Sequence, residues 1–332
     1  MEPLHTLVTT ALLLLAAARA TAAEPPHHLR RAQDLTVPVI AADFPDPSVT
    51  RDADGTWYAF ATSHDNKNIQ VARATELRGE WTLLGIDPLP RAGSWAEDGN
   101  SWAPDVRRVP SGKYVMYYSG QTKVDPSRHC VGAAIADTIT GPYIPRDEPL
   151  NCELARGGSI DPAGFEDANG RQYVVYKIDG NSIGHGGSCL NTVPPIVPTP
   201  IQLQEVEQDG VTKIGDPVTI LDRDDADGPL VEAPDLVLDE EEGLYILLYS
   251  AGCYLEPSYS VNYATATNVT GPFEKAQRRL FRTGDRGFQA PGGANGVRSE
   301  DGVTLVFHAG CPEGRCMFIA GTVASGRELW VE

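Results

Sequence analysis

Basic residues are scarce in this sequence. Its 332 residues include 27 Lys and Arg against 45 Asp and Glu, which gives a formal net charge of −18. No basic patch interrupts the acidic surface that this balance predicts. Because such a surface repels phosphate backbones and anionic lipid headgroups, the composition argues against nucleic acid and membranes as partners and favours neutral ligands.

The sequence also lacks the patterns typical of several other protein classes. No Cys-x-x-Cys pair is present and the histidines are not spaced as partners, so a metal-thiolate site is disfavoured. The apolar run that begins at Ala11 is too short to cross a bilayer. No segment shows a long helical stripe, whereas short runs rich in Tyr, Val, Ile and Phe alternate with Gly, Pro, Asp and Asn. This pattern favours an all-β fold.

Residues 1–23 are predicted to be a secretion signal peptide. The apolar run at Ala11 is followed by small residues at Ala20 and Ala22 that suit a cleavage site, although no Lys or Arg precedes the run. An N-terminal anchor is the alternative. Residues 24–38 are polar and marked by prolines, and are predicted to form a flexible arm. The protein is therefore expected to be secreted and extracellular.

Six cysteines fit that destination, because an even number in an exported protein usually forms disulfides. Several pairings are possible. Cys311 with Cys316 and Cys130 with Cys152 are the most natural ones, since their partners are close in sequence. Asn268-Val269-Thr270 is a glycosylation sequon, which in an exported chain lies on a surface loop.

A motif that returns five times is the strongest signal in the chain. Each copy joins a turn with an acid or a proline to a Gly and an aromatic-rich strand further on. The copies start at Asp46, Asp105, Asp161, Asp235 and Pro291. Their intervals of 56 to 74 residues suit four-stranded blades. We therefore predict one domain, a five-bladed β-propeller over residues 39–332.

The longest interval contains a proline tract at residues 192–200. Proline has no N–H to donate to a sheet, so this tract is not a central strand. It is predicted to form a rigid loop on the blade surface or at the rim of a pocket.

Acidic residues recur where the copies begin. They are Asp46, Asp105, Asp161 and Glu232, with Asp235 three residues further on. The innermost strand of every propeller blade points its leading end at one mouth of the channel, so these carboxylates are predicted to converge. Crowded carboxylates shift one another's pKa, and one protonated acid beside one ionised acid is what glycoside hydrolysis needs. The alternative is that each Asp-Pro only caps a turn, but Glu is a poor turn former.

Four motifs in this order resemble glycoside hydrolase family 43. They read Phe44-Pro45-Asp46-Pro47, Trp102-Ala103-Pro104-Asp105, Ile160-Asp161-Pro162 and Glu232-Ala233-Pro234. The resemblance covers roughly residues 38–325 and implies a five-bladed propeller enzyme that acts on arabinan and xylan side chains with inversion.

The resemblance also implies roles for the acids. Asp46 is the expected general base, Glu232 the general acid, and Asp161 the residue that orients the acid and raises its pKa. Asp105 is the expected supporting residue at the pocket floor. The two carboxyl groups of an inverting pair lie about 6.5 to 9.5 Å apart, which admits the attacking water.

Other candidates for substrate or metal contact lie near the motifs. Trp102, just before a turn, is the preferred platform for stacking on a sugar, and Phe44 is a second; core packing is the alternative for any aromatic. The family often has a Gly-Pro-Gly-His-like segment in the fifth blade, whereas residues 290–295 lack the His, so Asn295 or Gln289 is the substitute candidate. His308 either binds a structural calcium ion, as in arabinan-cleaving relatives, or fills a strand end.

We therefore expect a secreted, monomeric, inverting hydrolase of α-L-arabinofuranosyl linkages in plant cell-wall arabinan or arabinoxylan. Its chemistry requires no cofactor. The alternatives are a β-1,4-xylosidase or an endo-acting arabinanase on the same fold, or a carbohydrate-binding propeller without catalysis. Binding alone gives no reason for Asp46, Asp161 and Glu232 to converge, so the last alternative is disfavoured.

Overall fold

The computed structural model describes Met1 and residues 35–254, 256–299 and 302–332. The predicted signal peptide after Met1, and the predicted arm up to residue 34, lie outside the described residues. The rest of the chain forms five separate antiparallel sheets in sequence order. This arrangement confirms the predicted five-bladed β-propeller. None of the helices among the described residues has both the length and the apolar character needed to cross a membrane.

Each sheet is a blade, and its first strand lies innermost. Blade I contains β1 (Ser48–Arg51), β2 (Trp57–Ala61), β3 (Gln70–Ala74) and β4 (Thr82–Leu84). Blade II contains β5 (Ala96–Arg108), β6 (Tyr114–Thr122), β7 (His129–Ala136) and β8 (Ile144–Pro145). Blade III contains β9 (Ser159–Glu166), β10 (Gln172–Ile178), β11 (Ile201–Val206) and β12 (Lys213–Leu221).

Blades IV and V complete the ring. Blade IV contains β13 (Val231–Asp239), β14 (Leu244–Ala251), β15 (Ser260–Ala266) and β16 (Glu274–Lys275), with β17 (Phe281–Arg282) also paired to β15. Blade V contains β18 (Gly292–Ser299), β19 (Gly302–Cys311), β20 (Gly314–Ser325) and β21 (Glu328–Val331). Short 3-10 helices span Leu154–Arg156, Gly180–Ile183, Ser188–Leu190 and Asp285–Gly287.

The apolar core lies between the blades. Five clusters of buried side chains each join two neighbouring blades, including the pair formed by blades V and I. The inner strands contact one another around the channel, and β18 contacts β1. Burying both faces of every blade accounts for the continuous apolar runs in β6, β10 and β14.

The segment before β1 closes the ring. Ile40 forms a bridge with Met317 of β20, and the backbone N–H of Phe44 donates to the carbonyl of Arg315 at 2.9 Å. Both apolar side chains are buried between blades V and I. Leu35, predicted to belong to the flexible arm, is buried between blades IV and V.

The same turn precedes the inner strand of blade I and lies within the inner strand of blades II to V. Its first residue has a positive φ in all five blades, and these residues are Asp46, Ala103, Asp161, Ala233 and Gly293. In blades II to V the turn forms a β-bulge against the second strand.

The fifth copy starts at Gly293 and not at Pro291. Pro291 resembles the motif proline of the other copies, but the second turn position in this blade is Ala294. Gly293 has φ 58°, and a Cβ there would lie 2.7 Å from Nδ1 of His308. Glycine therefore provides the close approach that this turn requires.

Three disulfides hold loops of the propeller. They join Cys130 to Cys152, Cys189 to Cys253, and Cys311 to Cys316. Both pairings favoured from the sequence are present. The remaining disulfide ties the insertion between β10 and β11 to blade IV, and the proline tract at residues 192–200 forms a loop in that insertion, as predicted.

Candidate active site

Three of the predicted carboxylates lie at one mouth of the channel. Asp46 and Asp161 occupy the first turn position of blades I and III, and Glu232 immediately precedes that position in blade IV. The five turns surround a small central cavity of about 40 Å³. Burial raises the pKa of Asp161, and the charges of Glu232 and Asp46 raise it further, as expected of neighbouring carboxylates.

Asp46 is held in an environment that favours its ionised form. Oγ1 of Thr62 donates to its Oδ2 at 2.7 Å, and Nη1 of Arg315 lies 3.4 Å from its Oδ1. Burial raises the pKa of Asp46, but the Arg315 charge and the Thr62 hydrogen bond are among the contacts that outweigh it, so the pKa is lowered. An ionised carboxylate at the channel mouth can accept a proton from water.

His308 binds the backbone of the turn that contains Asp46. Its Nδ1 accepts the backbone N–H of Asp46 at 3.0 Å, and the ring is fully buried. Burial lowers the pKa of His308 to about 3, so the imidazole is neutral at moderate pH. Its Nε2 is buried and has no hydrogen-bond partner among the described residues.

Both oxygens of Glu232 accept hydrogen bonds. Nζ of Lys177 lies 3.1 Å from Oε2, and the hydroxyl of Tyr259 donates to Oε1 at 2.8 Å. Lys177 is fully buried and also contacts Oδ1 of Asp179 at 3.0 Å. Burial works against the ammonium, but the charges of Asp179 and Glu232 raise the pKa of Lys177, so the side chain is charged. The carboxyl plane of Glu232 is thus fixed at both oxygens.

Asp161 interacts electrostatically with both of the other acids at the mouth, Glu232 and Asp46. Its Oδ2 accepts the backbone N–H of Ala233 at 3.0 Å, and its own N–H donates to Oγ of Ser119 at 2.8 Å. Burial raises the pKa of Asp161, Glu232 raises it further, and Lys177 only partly offsets them. The carboxyl group of Asp161 therefore holds its proton to higher pH than an ordinary aspartic acid does.

A second layer of acids lies deeper in the channel. Nε of Arg107 lies 2.7 Å from Oδ2 of Asp105, and its Nη2 lies 3.2 Å from Oδ1 of Asp235. Both carboxylates are buried, and each also accepts one backbone N–H. Burial raises the pKa of Asp235 to about 7, with a further contribution from Asp105.

Asp105 and Asp46 do not occupy equivalent turn positions, although each marks the start of a repeat copy in the sequence. Asp105 and Asp235 stand two residues after the first turn position, so they face the channel below the mouth. Asn295 is the equivalent residue of blade V; it is buried, and its Oδ1 accepts the N–H of Val49 at 3.0 Å. The Asn295 side chain is therefore engaged inside the propeller.

The two aromatic candidates lie in different environments. Trp102 is the blade II equivalent of Glu232 and is half-buried; its ring stacks on His129 with centroids 3.4 Å apart, and its Nε1 donates to Oδ1 of Asn100 at 2.7 Å. Phe44 is fully buried in the cluster between blades V and I. Its ring has no exposed face on which a sugar can stack.

Among the described residues, His308 belongs to no close group of three or more His, Cys, Asp and Glu side chains. Within the described ranges, the only group of three potential ligand atoms contains Cys311, Glu313 and Cys316, and both cysteines belong to one disulfide. A larger cavity of about 790 Å³ lies along the outer part of blade II and is lined by none of the candidate acids.

Sequence reasoning missed several residues of this site. Lys177 had a usable signal, because a lysine stands at the end of the buried run of β10, where charge is unusual. Tyr259 and Arg315 lie outside the repeated motif, and Arg315 is 269 residues from Asp46 along the chain. Such a contact cannot be inferred without the fold.

Known proteins resemble this chain in sequence and in structure. The extracellular endo-α-(1→5)-L-arabinanase 2 of Bacillus subtilis (strain 168) is 29% identical over 151 residues, which cover 40% of this chain and 32% of that protein. The β-xylosidase of Bacillus subtilis (strain 168) is 25% identical over 252 residues, covering 72% of this chain and 42% of that protein. This chain thus spans less than half the length of either relative.

A solved structure of a thermostable family-43 glycoside hydrolase superposes with a TM-score of 0.73 at 26% identity, over 88% of this chain and 95% of that one. The family model described as Glycosyl hydrolases family 43 matches residues 35–330. That match extends over all five blades and the site at their mouth, and on this evidence the chain belongs to glycosyl hydrolases family 43.

Proposed function

We propose that this protein is an inverting glycoside hydrolase that cleaves α-L-arabinofuranosyl linkages in plant cell-wall arabinan or arabinoxylan. The observation that carries the proposal is the electrostatic contrast at the channel mouth. The pKa of Asp46 is lowered, whereas that of Asp161, next to Glu232, is raised. The lowered pKa suits Asp46 to act as the base, and the raised pKa of Asp161 keeps a second negative charge away from the acid Glu232. The arabinanase relative supports the choice of substrate.

Asp46 is the general base in this mechanism. Its ionised carboxylate takes a proton from a water molecule, whose oxygen forms a bond with the anomeric carbon of the sugar. Thr62 and Arg315 keep the carboxylate oriented during this step. Because the water attacks from the side opposite the leaving group, the product has inverted configuration.

Glu232 is the general acid. It donates a proton to the glycosidic oxygen while the bond between that oxygen and the anomeric carbon breaks. Asp161 is the residue that orients the acid, because its Oδ2 accepts the backbone N–H of Ala233, the residue that follows Glu232. After one turnover Asp46 carries a proton and Glu232 lacks one, and exchange with solvent restores both.

The substrate contacts belong to the same proposal. Trp102 is the platform for a sugar ring at the mouth, and Asp105 supports the floor beneath it through Arg107. We also propose that the protein is secreted and monomeric. Its three disulfides suit an oxidising compartment, and the arabinanase relative is extracellular.

The donor atoms that the protein offers at His308 are poorly suited to calcium. Calcium takes about six to eight oxygen ligands, whereas His308 offers one unpartnered nitrogen. Any calcium held there draws its other ligands from water, and no step above depends on it. Activity measured before and after dialysis against a chelator, with calcium added back, tests this proposal.

The decisive experiment is product analysis on linear 1,5-arabinan, arabinoxylan and an aryl xyloside in parallel. We expect arabinose or arabino-oligosaccharides from the wild type. Asp46→Ala and Glu232→Ala should each lower turnover by about 100-fold or more, because each removes a proton-transfer group. Glu242→Ala, an exposed Glu on the β13–β14 hairpin, is the matched control and should leave turnover unchanged.

Other outcomes distinguish the alternatives. Release of xylose from the xyloside, without products from arabinan, would replace arabinose by xylose as the substrate sugar. Binding of arabino-oligosaccharide with no product from any substrate would favour the carbohydrate-binding propeller. Full activity of either acid variant would refute the proposed roles.

A further inference from the structure

One hydrogen bond recurs between neighbouring blades at the mouth. In four places a side chain on or just after the second strand of one blade accepts the backbone N–H of the first turn residue of the next blade. The acceptors are Thr62 for Ala103, Ser119 for Asp161, Ser250 for Gly293 and His308 for Asp46, at 2.8 to 3.0 Å. This bond joins each turn to the preceding blade.

Blade III departs from this pattern because its equivalent residue is Lys177. Lys177 pairs with Ile160 just as Ser250 pairs with Glu232 in blade IV. An ammonium group has donors but no acceptor, so it cannot accept the N–H of Ala233. That N–H donates to Oδ2 of Asp161 instead. In blade III a lysine thus replaces the hydrogen-bond acceptor of the other blades. As a result Asp161 binds the backbone N–H of Ala233, and Lys177 binds Glu232.

Because Lys177 is buried, a lysine at this position is expected to lower the stability of the fold. Its side chain is fully buried, and a buried charge is unfavourable unless it is paired. Replacing a buried ion pair with neutral groups is often neutral or stabilising. A serine, as in blades II and IV, would satisfy the turn without a buried charge. The lysine is thus better explained by what it contacts at the mouth than by stability.

We propose that Lys177 is a positioning residue for the general acid: it fixes Oε2 of Glu232 and stabilises the negative charge that develops there as the proton leaves. Tyr259 fixes the other oxygen. The inference rests on the proposed acid role of Glu232. A fixed positive charge close to a carboxylate in a buried site stabilises it more strongly than it would in water.

The leaving group provides the test, because a dinitrophenyl group needs no protonation and an alkyl or sugar hydroxyl does. We expect kcat/KM of Lys177→Met to fall about 100-fold on an arabino-oligosaccharide and less than tenfold on dinitrophenyl α-L-arabinofuranoside. Glu232→Ala should show the same contrast with a larger loss. Lys177→Arg, which keeps the charge, should recover part of the activity on the oligosaccharide.

A purely structural role for Lys177 predicts a different result. It would lower the melting temperature and reduce activity on both substrates equally. Asp179→Asn is the control, since it removes the negative charge of the other partner of Lys177 but leaves the Glu232 contact. If Lys177→Met does not fold, Lys177→Gln, which donates without charge, replaces it in the same comparison.

The outcomes separate this inference from the proposed function. If the wild type cleaves neither arabinofuranoside, the proposed function fails. If the wild type cleaves both, and every folded Lys177 variant loses the same factor on each, Lys177 does not act through the acid and the inference is wrong. A supporting second readout is a shift of the basic limb of the pH profile to higher pH in Lys177→Met, because losing a nearby positive charge favours a protonated carboxyl.

Discussion

At the scale of single residues, Arg107 determines whether two buried carboxylates can coexist in the channel. It contacts both Asp105 and Asp235, and neither acid has another charged partner in the described ranges. Removing one partner of a buried ionic group costs about 3–5 kcal/mol, because the remaining charge is left uncompensated. Arg107→Met should therefore lower the free energy of unfolding by about this amount, as measured by urea denaturation.

The matched control neutralises the acids as well. In Arg107→Met/Asp105→Asn/Asp235→Asn no charge remains to be compensated, so most of the lost stability should return. Equal destabilisation of the single and triple variants would show that packing of the arginine stem, and not charge, accounts for the loss.

His129 gives a prediction about pH. It is buried beneath Trp102, and burial lowers its pKa to about 4, against about 6.5 in the unfolded chain. Between these values the unfolded chain binds more protons than the folded one. The contribution of His129 to stability is therefore complete above pH 6.5 and is lost as the pH falls towards 4, by up to about 1.4 kcal/mol per pH unit.

The test compares the wild type with His129→Gln by denaturant unfolding over that pH range. The variant should show the shallower pH dependence, whatever its absolute stability. Parallel curves for the two proteins would mean that His129 does not titrate in the way its burial implies.

At this scale the sequence revealed those residues whose neighbours along the chain carry the signal. Asp46 and Asp161 were found because a proline follows each, and Glu232 because a glutamate is out of place before a turn. Lys177 and Arg315 were not found, since their roles depend on contacts between blades. The sequence pattern of a strand indicates which of its residues are buried, but it does not indicate which residues of another blade they contact.

At the scale of elements, the disulfides should differ in what they contribute. Cys189 and Cys253 are 64 residues apart, whereas Cys311 and Cys316 are only 5 apart. In the chain-entropy account the stabilisation grows with the closed loop, to about 4 kcal/mol for the longer and about 2 for the shorter. Serine pairs at Cys189/Cys253 should therefore lower stability about twice as much as serine pairs at Cys311/Cys316.

Denaturant unfolding of the two double variants measures this difference, with the wild type under reducing conditions as a further reference. Equal losses would indicate that local packing around the sulfurs, and not restriction of the unfolded chain, determines the effect.

The turns show why element boundaries were predicted unevenly. Proline at the second turn position marked four blades in the sequence. The fifth blade meets the same backbone requirement with Gly293-Ala294, and a misleading proline stands at 291. Different residues can satisfy one conformation, so a motif defined by one of them misses the others.

At the scale of the whole molecule, the propeller holds together only if its first and last blades are joined. The joining segment has no repeat motif, and its contribution comes from the bridge of Ile40 to Met317 and from burial of Ile40 between blades V and I. Each of the five clusters rests on two blades, so opening one boundary exposes apolar surface on both sides. A local change at this boundary should therefore reduce the stability of the entire ring.

Ile40→Ala tests this closure, and Ile144→Ala is the matched control. Ile40 is buried, whereas Ile144 is 67% exposed on the outer edge of blade II. A buried Ile→Ala change costs about 2–5 kcal/mol, and an exposed one usually stays within about 0.5 kcal/mol. We expect Ile40→Ala to lower the melting temperature in a single transition, because its loss weakens the boundary at which the first and last blades meet. Separate melting of blade V, or similar losses in both variants, would show that the ring does not depend on this closure.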